Sequence, residues 1–217
     1  MLNIAILTLA LPLLAALLFY AKKESTRGLL LTKPFLSALF VMTALVGPHA
    51  NPKYFIPVLA GLLFCMAGDV FLIFFSSKKL FVAGLVSFLT GHVLYSIAFF
   101  TMTSPGILAL IVAALCLVMS GSVFAWLKPH LGAMLVPVVA YISVITVMVV
   151  GAALLMGNEQ LSFAGRTLAF SGAILFYVSD IFVARHRFIK KEYMNRLAGL
   201  PLYYAGQFMI AYSTVLL

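Results

Sequence analysis

The chain has 217 residues, of which 65% are hydrophobic and only 9% charged, with a mean hydropathy of +1.18. Soluble domains carry roughly 45–50% apolar residues, so a water-soluble globule of this length is excluded. The net charge of +9 does not describe a nucleic-acid groove either, because the 14 Lys and Arg stand in ones and twos at the ends of apolar runs, as orientation signals of membrane proteins do.

The first twenty residues lack a basic leader and show no small-x-small cleavage site before Lys22, and read as a retained first helix rather than a signal peptide. A helix needs about 20 apolar residues to cross a bilayer. Runs of that kind follow at Leu2 to Tyr20, Gly28 to Val46, Tyr54 to Phe75, Leu80 to Phe100, Pro105 to Trp126, Leu131 to Met156, Arg166 to Ala184 and Leu197 to Leu217. Lys33 and Pro34 interrupt the start of the second. No Pro/Ser-rich linker or charge block separates a soluble module, so residues 1–217 read as one membrane domain, an all-α integral membrane fold of eight transmembrane helices. Cys65 and Cys116 lie within apolar runs, where a cysteine acts as a small buried hydrophobe.

With eight crossings, successive loops alternate sides. Eleven of the basic residues then fall on one side (Lys22, Lys23, Arg27, Lys78, Lys79, Lys128, Arg185, Arg187, Lys190, Lys191, Arg196) and two on the other (Lys53, Arg166). Positive charge marks the cytoplasmic side, which puts both termini on the non-cytoplasmic side of what reads as a bacterial inner (plasma) membrane.

Short matches between the halves suggest a duplication, residues 1–101 against 105–217. Lys33-Pro34-Phe35-Leu36-Ser37-Ala38 pairs with Lys128-Pro129-His130-Leu131-Gly132-Ala133, Gly68-Asp69-Val70-Phe71 with Ser179-Asp180-Ile181-Phe182, and Gly91-His92 with Gly206-Gln207. Four spans per half give the halves parallel orientation, with a site expected between them.

The only two aspartates, Asp69 and Asp180, both lie inside apolar runs. An ionisable group at membrane depth is costly and marks function by default. From the cytoplasmic ends, at about 1.5 Å per residue, Asp69 lies roughly 10 Å deep and Asp180 and Lys33 roughly 7 Å; the three are expected to pair in one layer. Arg196, Tyr203 and Gln207 share a face of the eighth run, beside Tyr204, and Arg196 is placed to hold a phosphate at the mouth. His92, with Tyr95 and Ser96 in the fourth run, lies roughly 20 Å deep and reads either as a hydrogen-bonded interior histidine or as a contact at the end of a tall cavity. Small residues (Gly61, Cys65 and Gly68; Gly172 and Ser179) line faces of the third and seventh runs and are expected to let these two helices approach. No His-Glu-x-x-His or Cys/His cluster points to a metal, and no cofactor is expected.

Lys33-Pro34, Gly68-Asp69, Gly91-His92 with Tyr95 and Phe99, Ser179-Asp180, and Tyr203-Tyr204 with Gly206-Gln207 together resemble the YhhN-like lysoplasmalogenase family of multi-span membrane proteins. The resemblance implies hydrolysis of the vinyl ether bond of a lysophospholipid, releasing a fatty aldehyde and glycerophosphoethanolamine or glycerophosphocholine. It implies Asp69 and Asp180 as the catalytic pair, with Lys33, His92, Tyr95, Arg196, Tyr203, Tyr204 and Gln207 as substrate-binding candidates. The substrate would come from the cytoplasmic leaflet. Which aspartate is the acid stays open in the sequence. Buried carboxylates in duplicated halves also fit a proton-coupled carrier, and two intramembrane aspartates fit an aspartyl protease, although Met66-Ala67-Gly68-Asp69 lacks the Gly-x-Gly-Asp pattern of such enzymes.

Overall fold

The computed structural model describes residues 2–103 and 107–217, and among them there is no β-strand. The apolar runs fold as α1 (Leu2–Lys22), α2 (Thr26–Leu30) with α3 (Lys33–Leu45), α4 (Pro52–Phe71), α5 (Lys78–Thr101), α6 (Ile107–Leu131), α7 (Leu135–Met156), α8 (Phe163–Ala184) and α9 (Tyr193–Leu216). Pro105, the expected start of the fifth run, lies outside the described residues.

Among the described residues, six stretches of helix are long and apolar enough to cross a membrane. One of them, Leu110–Met156, is 47 residues long and doubles back at Gly132, whose φ of +47° is open to glycine without a Cβ penalty. Ser120 Oγ on α6 consequently lies 2.7 Å from Thr146 Oγ1 on α7. The helix α9 is not among the six, because it carries Asn195, Tyr203, Tyr204 and Gln207, all of them buried inside the bundle. The molecule is a multi-pass integral membrane protein, with large apolar side chains such as Leu11, Ile107, Leu110 and Val118 exposed on its flanks.

The break between α2 and α3 has a local cause. Pro34 has no N–H and its ring collides with the carbonyl four residues back in a continuous helix, so it is tolerated in the first turn of a new one, where it stands in α3. Thr32 Oγ1 closes the preceding turn on Gly28 O at 2.8 Å. The restart turns Lys33 inward, leaving it 8% exposed.

Two tight helix pairs organise the bundle, α4 against α5 and α8 against α9. A Cβ on Gly91 would meet the Gly61 carbonyl at 3.1 Å, and one on Gly206 would meet the Gly172 carbonyl at 2.8 Å. Glycine at these crossings lets the backbones touch. The small faces of α4 and α8 therefore serve contact with the next helix in the chain, not with each other as the sequence led us to expect. A second difference concerns Lys128-Pro129-His130, which closes the last turn of α6, whereas Lys33-Pro34 opens α3; the two segments occupy opposite ends of their helices.

The basic loops gather at one end. Lys191 Nζ reaches Glu24 Oε1 at 2.7 Å, Arg187 Nη1 donates to Phe75 O at 2.8 Å, and Arg196 Nη1 to Ala21 O at 3.4 Å. The loops between α1 and α2, α4 and α5, and α8 and α9 thus meet around a common mouth.

Candidate active site

Asp69 sits in the last turns of α4, 1% exposed, on the helix face that turns toward α3 and α9. Its Oδ1 is 2.9 Å from Lys33 Nζ. Its Oδ2 is 2.5 Å from Ser37 Oγ and accepts from Tyr203 OH at 2.6 Å. Ser37 follows Lys33 by one helical turn, which stacks the two on a single face of α3. A buried carboxylate is tolerable only with such a set of a counter-charge and further donors.

Asp180, on α8, is surrounded differently. Its Oδ2 accepts from Tyr141 OH of α7 at 2.6 Å, and among the described residues no cation stands within ion-pair distance of it. The expected three-way pairing of Lys33 with both aspartates therefore reduces to one ion pair and one hydroxyl–carboxyl contact. Lys33 is committed to Asp69 by the turn that starts α3, and Asp180 faces α7.

Both carboxyls line a single cavity of about 170 Å³, together with Lys33, Tyr141, Tyr203 and Arg196. Most of its remaining wall is apolar, contributed by Phe88, Leu127, Val138, Ile142 and Ile145 among others, with Ser179, His186 and Asn195 as further polar lining. Tyr95, Tyr204 and Gln207 stand one layer behind it. Tyr95 OH donates to Gln207 Oε1 at 2.8 Å, Gln207 Nε2 donates to Tyr203 OH at 3.3 Å, and Tyr203 passes its proton toward Asp69, so these side chains orient the tyrosine that touches the carboxylate. Tyr204 OH lies 3.2 Å from Ser37 Oγ and steadies the other donor.

His92 differs from expectation. It is fully buried, neither ring nitrogen has a hydrogen-bond partner, and the ring is wedged between Phe176, at 4.5 Å, and Tyr141, at 5.2 Å. It supports Tyr141 from behind by aromatic contact and makes no hydrogen bond to either carboxylate.

At the mouth, Arg196 and His186 line both this cavity and a more polar vestibule of about 430 Å³ outside it. Arg187, Lys191 and Glu24 also line the vestibule. The Lys191 ammonium, through a hydrogen bond and then its charge, holds the Glu24 carboxyl below the usual glutamate range. Glu192 is lowered in the same way, first by Lys190 and then by Arg185, both of which bridge to it.

Two residues of the site escaped the sequence reading. Ser37 is marked only by its position one turn after Lys33, and Tyr141 only as a tyrosine within an otherwise apolar run. The fold and site define a polytopic membrane protein with an enclosed pair of carboxyl groups in unlike surroundings. The YhhN family model matches residues 28–214, and the chain belongs to that family. It is 34% identical over 162 residues to Lysoplasmalogenase TMEM86A of Bos taurus, covering 73% of this chain and 65% of the relative. It is 33% identical to the Homo sapiens Lysoplasmalogenase TMEM86A, over 73% of this chain and 65% of the relative. For Lysoplasmalogenase TMEM86B of Homo sapiens the identity is 34%, over 73% and 63%. The matched region thus spans a little under two thirds of these relatives' length. No solved structure matches the chain.

Proposed function

We propose that the protein hydrolyses the vinyl ether bond of lysoplasmalogens, 1-alkenyl glycerophospholipids with a free sn-2 hydroxyl, giving a fatty aldehyde and the glycerophospho-alcohol. The observation that carries this reading is the unlike surroundings of the two carboxyls in one cavity. Asp69 accepts from an ammonium and two hydroxyls, a setting for a carboxylate. Asp180 accepts from one hydroxyl alone, and a carboxyl that carries a proton there leaves no buried charge unpaired. Pairs of carboxyls driven apart by their environments divide into acid and base.

In this mechanism Asp180 gives its proton to the β-carbon of the vinyl ether, and the ether oxygen shares the positive charge of the resulting oxocarbenium ion. Water adds to the α-carbon while its proton passes to Asp69, forming a hemiacetal. The hemiacetal hydroxyl then returns a proton to Asp180, the bond from the α-carbon to the ether oxygen breaks, and that oxygen takes the proton from Asp69. The sum is one water consumed, one aldehyde and one alcohol formed, with both aspartates restored. Acid–base assistance of this kind contributes about 10² to 10⁴ in rate. Asp69 also faces the developing cation at no cost in reorganisation.

The reading extends to topology. Eight crossings with the basic end toward the cytoplasm, in a bacterial inner (plasma) membrane, would admit the lipid from the cytoplasmic leaflet, its linkage at the depth of the carboxyls and its chain along the apolar wall. A duplication of four helices per half is supported by the corresponding glycine crossings, Gly61 with Gly91 and Gly172 with Gly206: Gly61 and Gly172 differ by 111 positions, as Asp69 and Asp180 do, and Gly91 and Gly206 by 115, so the order is kept with a short insertion. The relatives' names, both lysoplasmalogenases, support the substrate class.

The test is aldehyde release from a pure lysoplasmalogen by the detergent-purified protein, with the Asp180→Asn variant as control. Release that depends on Asp180 is the expected result. A folded protein that binds the lipid without consuming it would return the site to a carrier.

A further inference from the structure

The vestibule above the carboxyl cavity carries chemistry that proton transfer does not use. Three cations, Arg187, Lys191 and Arg196, line it, together with the N-terminal edge of α5 at Ser76 and Ser77. His186 lines it too, 93% buried (7% exposed), with Nδ1 3.1 Å from Glu192 O and Nε2 without any partner. Among the described residues Arg196 makes one long hydrogen bond, to Ala21 O at 3.4 Å. Glu192 O can only accept, so Nδ1 of His186 carries the hydrogen and Nε2 becomes a donor once the ring takes up a second proton. An under-committed guanidinium, a helix N-terminus and an imidazole that takes up a proton as an anion arrives form a set suited to a phosphate group.

Among these donors stands one carboxylate, that of Glu24, the only acidic side chain lining the vestibule among the described residues. Its partner Lys191 is 58% exposed and Glu24 itself 61% exposed, so the pair is of the exposed, weak and readily exchanged kind. Glu24 also holds a left-handed backbone, with φ 51°, at the end of α1, which sets its side chain over the mouth. A second ammonium arriving there would find a carboxylate whose existing partner costs little to displace.

Taking the proposed lysophospholipid reaction as its basis, we propose that this vestibule is a subsite for a zwitterionic glycerophospho head group. The phosphodiester lies against Arg196 and against Nε2 of His186, whose ring takes up a proton as the anion binds, and a primary ammonium is accepted by Glu24 in place of Lys191. The site then favours ethanolamine over choline. A primary ammonium gives a charge-assisted N–H···O bond to the carboxylate, while a quaternary one has no N–H and needs aromatic faces. Of the two rings that line the vestibule, Phe75 is already covered by the Arg187 guanidinium, 5.4 Å from its centroid, which leaves Phe74 as a single face where a quaternary ammonium is held by a cage of several. The vestibule shares Leu29, Ile73, Phe75, His186 and Arg196 with the deeper cavity, so a head group held there has its glycerol directed at the carboxyls.

The test uses the full chain in detergent and three saturated 1-O-alkyl lipids of equal chain length, which cannot be hydrolysed: the lysophosphoethanolamine, the lysophosphocholine and the amine-free alkylglycerol phosphate. Binding is measured by equilibrium dialysis at equal free concentration, in wild type, Glu24→Gln and Lys191→Ala. In wild type the ethanolamine lipid is expected to bind about tenfold tighter than the choline lipid. Glu24→Gln removes that difference and leaves the alkylglycerol phosphate bound as well as before or better; Lys191→Ala, which frees Glu24, widens it. Discrimination that survives Glu24→Gln, or an equal loss for all three lipids, overturns the subsite. Aldehyde release from an alkenyl lipid is measured alongside. Discrimination without release sinks the reaction and keeps the subsite, and release without discrimination does the reverse.

Discussion

Lys33 Nζ and Asp69 Oδ1 lie 2.9 Å apart within the bundle, with side chains 10% and 1% exposed. Two charges so deeply placed bind each other at a high desolvation cost, and removal of one strands the other. Lys33→Met and Asp69→Asn should each destabilise the protein by about 3–5 kcal/mol, whereas the double variant recovers most of that loss. Denaturant midpoints of the four proteins in detergent test this. Aldehyde release should stay absent in Asp69→Asn and in the double variant alike, since stability and the reacting carboxylate are then separated.

Asp180→Asn keeps the contact with Tyr141 but has no proton to give. Its rate should fall by at least 10², the lower bound for losing general acid catalysis, with the melting temperature close to wild type. Retention of more than about a tenth of the rate, a barrier change of only about 1.4 kcal/mol, would refute a role for Asp180 as acid. On the proposed mechanism Tyr141→Phe should lower kcat more than it changes KM, because the hydroxyl would orient the acid without holding the lipid.

The glycine crossings make a separate prediction about packing. A Cβ at Gly172 would lie 2.8 Å from the Gly206 carbonyl, a backbone atom that cannot swing aside, so Gly172→Ala should cost about 1–3 kcal/mol through overpacking. Gly121, on α6, has nothing within 4 Å of the corresponding position. Gly121→Ala should be neutral or stabilise by about 0.5–1 kcal/mol from helix propensity alone. Thermal unfolding of both variants distinguishes a glycine used for contact from one that is not.

The tether between Glu24 and Lys191 should respond to acid. Because Lys191 holds the Glu24 carboxyl below the ordinary glutamate value, the folded state gains from this group fully above that value, and the gain is lost as pH falls through the lower, folded one. Wild type should therefore melt slightly above Glu24→Gln at pH 7, and the gap should close in the acid range below the ordinary glutamate pKa. A gap that widened on acidification would contradict the ion pair.

Reporter fusions after Lys190 and at Leu217 test orientation. The basic end should report from the cytoplasm and the C-terminal end of α9 from the opposite side. Equal signals from the two positions would mean that the number of crossings is not eight.

Much of this architecture is legible in the order of residues. Apolar runs long enough to cross a bilayer set the boundaries of the helices, since a helix is the structure that satisfies every backbone group within its own segment in a bilayer. The rarity of acids in those runs singles out Asp69 and Asp180, and Pro34 marks the break that turns Lys33 inward. What no run of sequence contains is which helices touch. Tyr141 reads as one more residue of an apolar helix until α7 is laid against α8, and Ser37 as a helix-face hydroxyl until α3 meets α4. The same holds for the difference in surroundings between the carboxyls. Two aspartates with nearly the same local sequence differ because α3 and α9 bring Asp69 an ammonium and two hydroxyls, while α7 brings Asp180 a single hydroxyl. Charge and burial are properties of the neighbours in space, and the tertiary packing alone decides those.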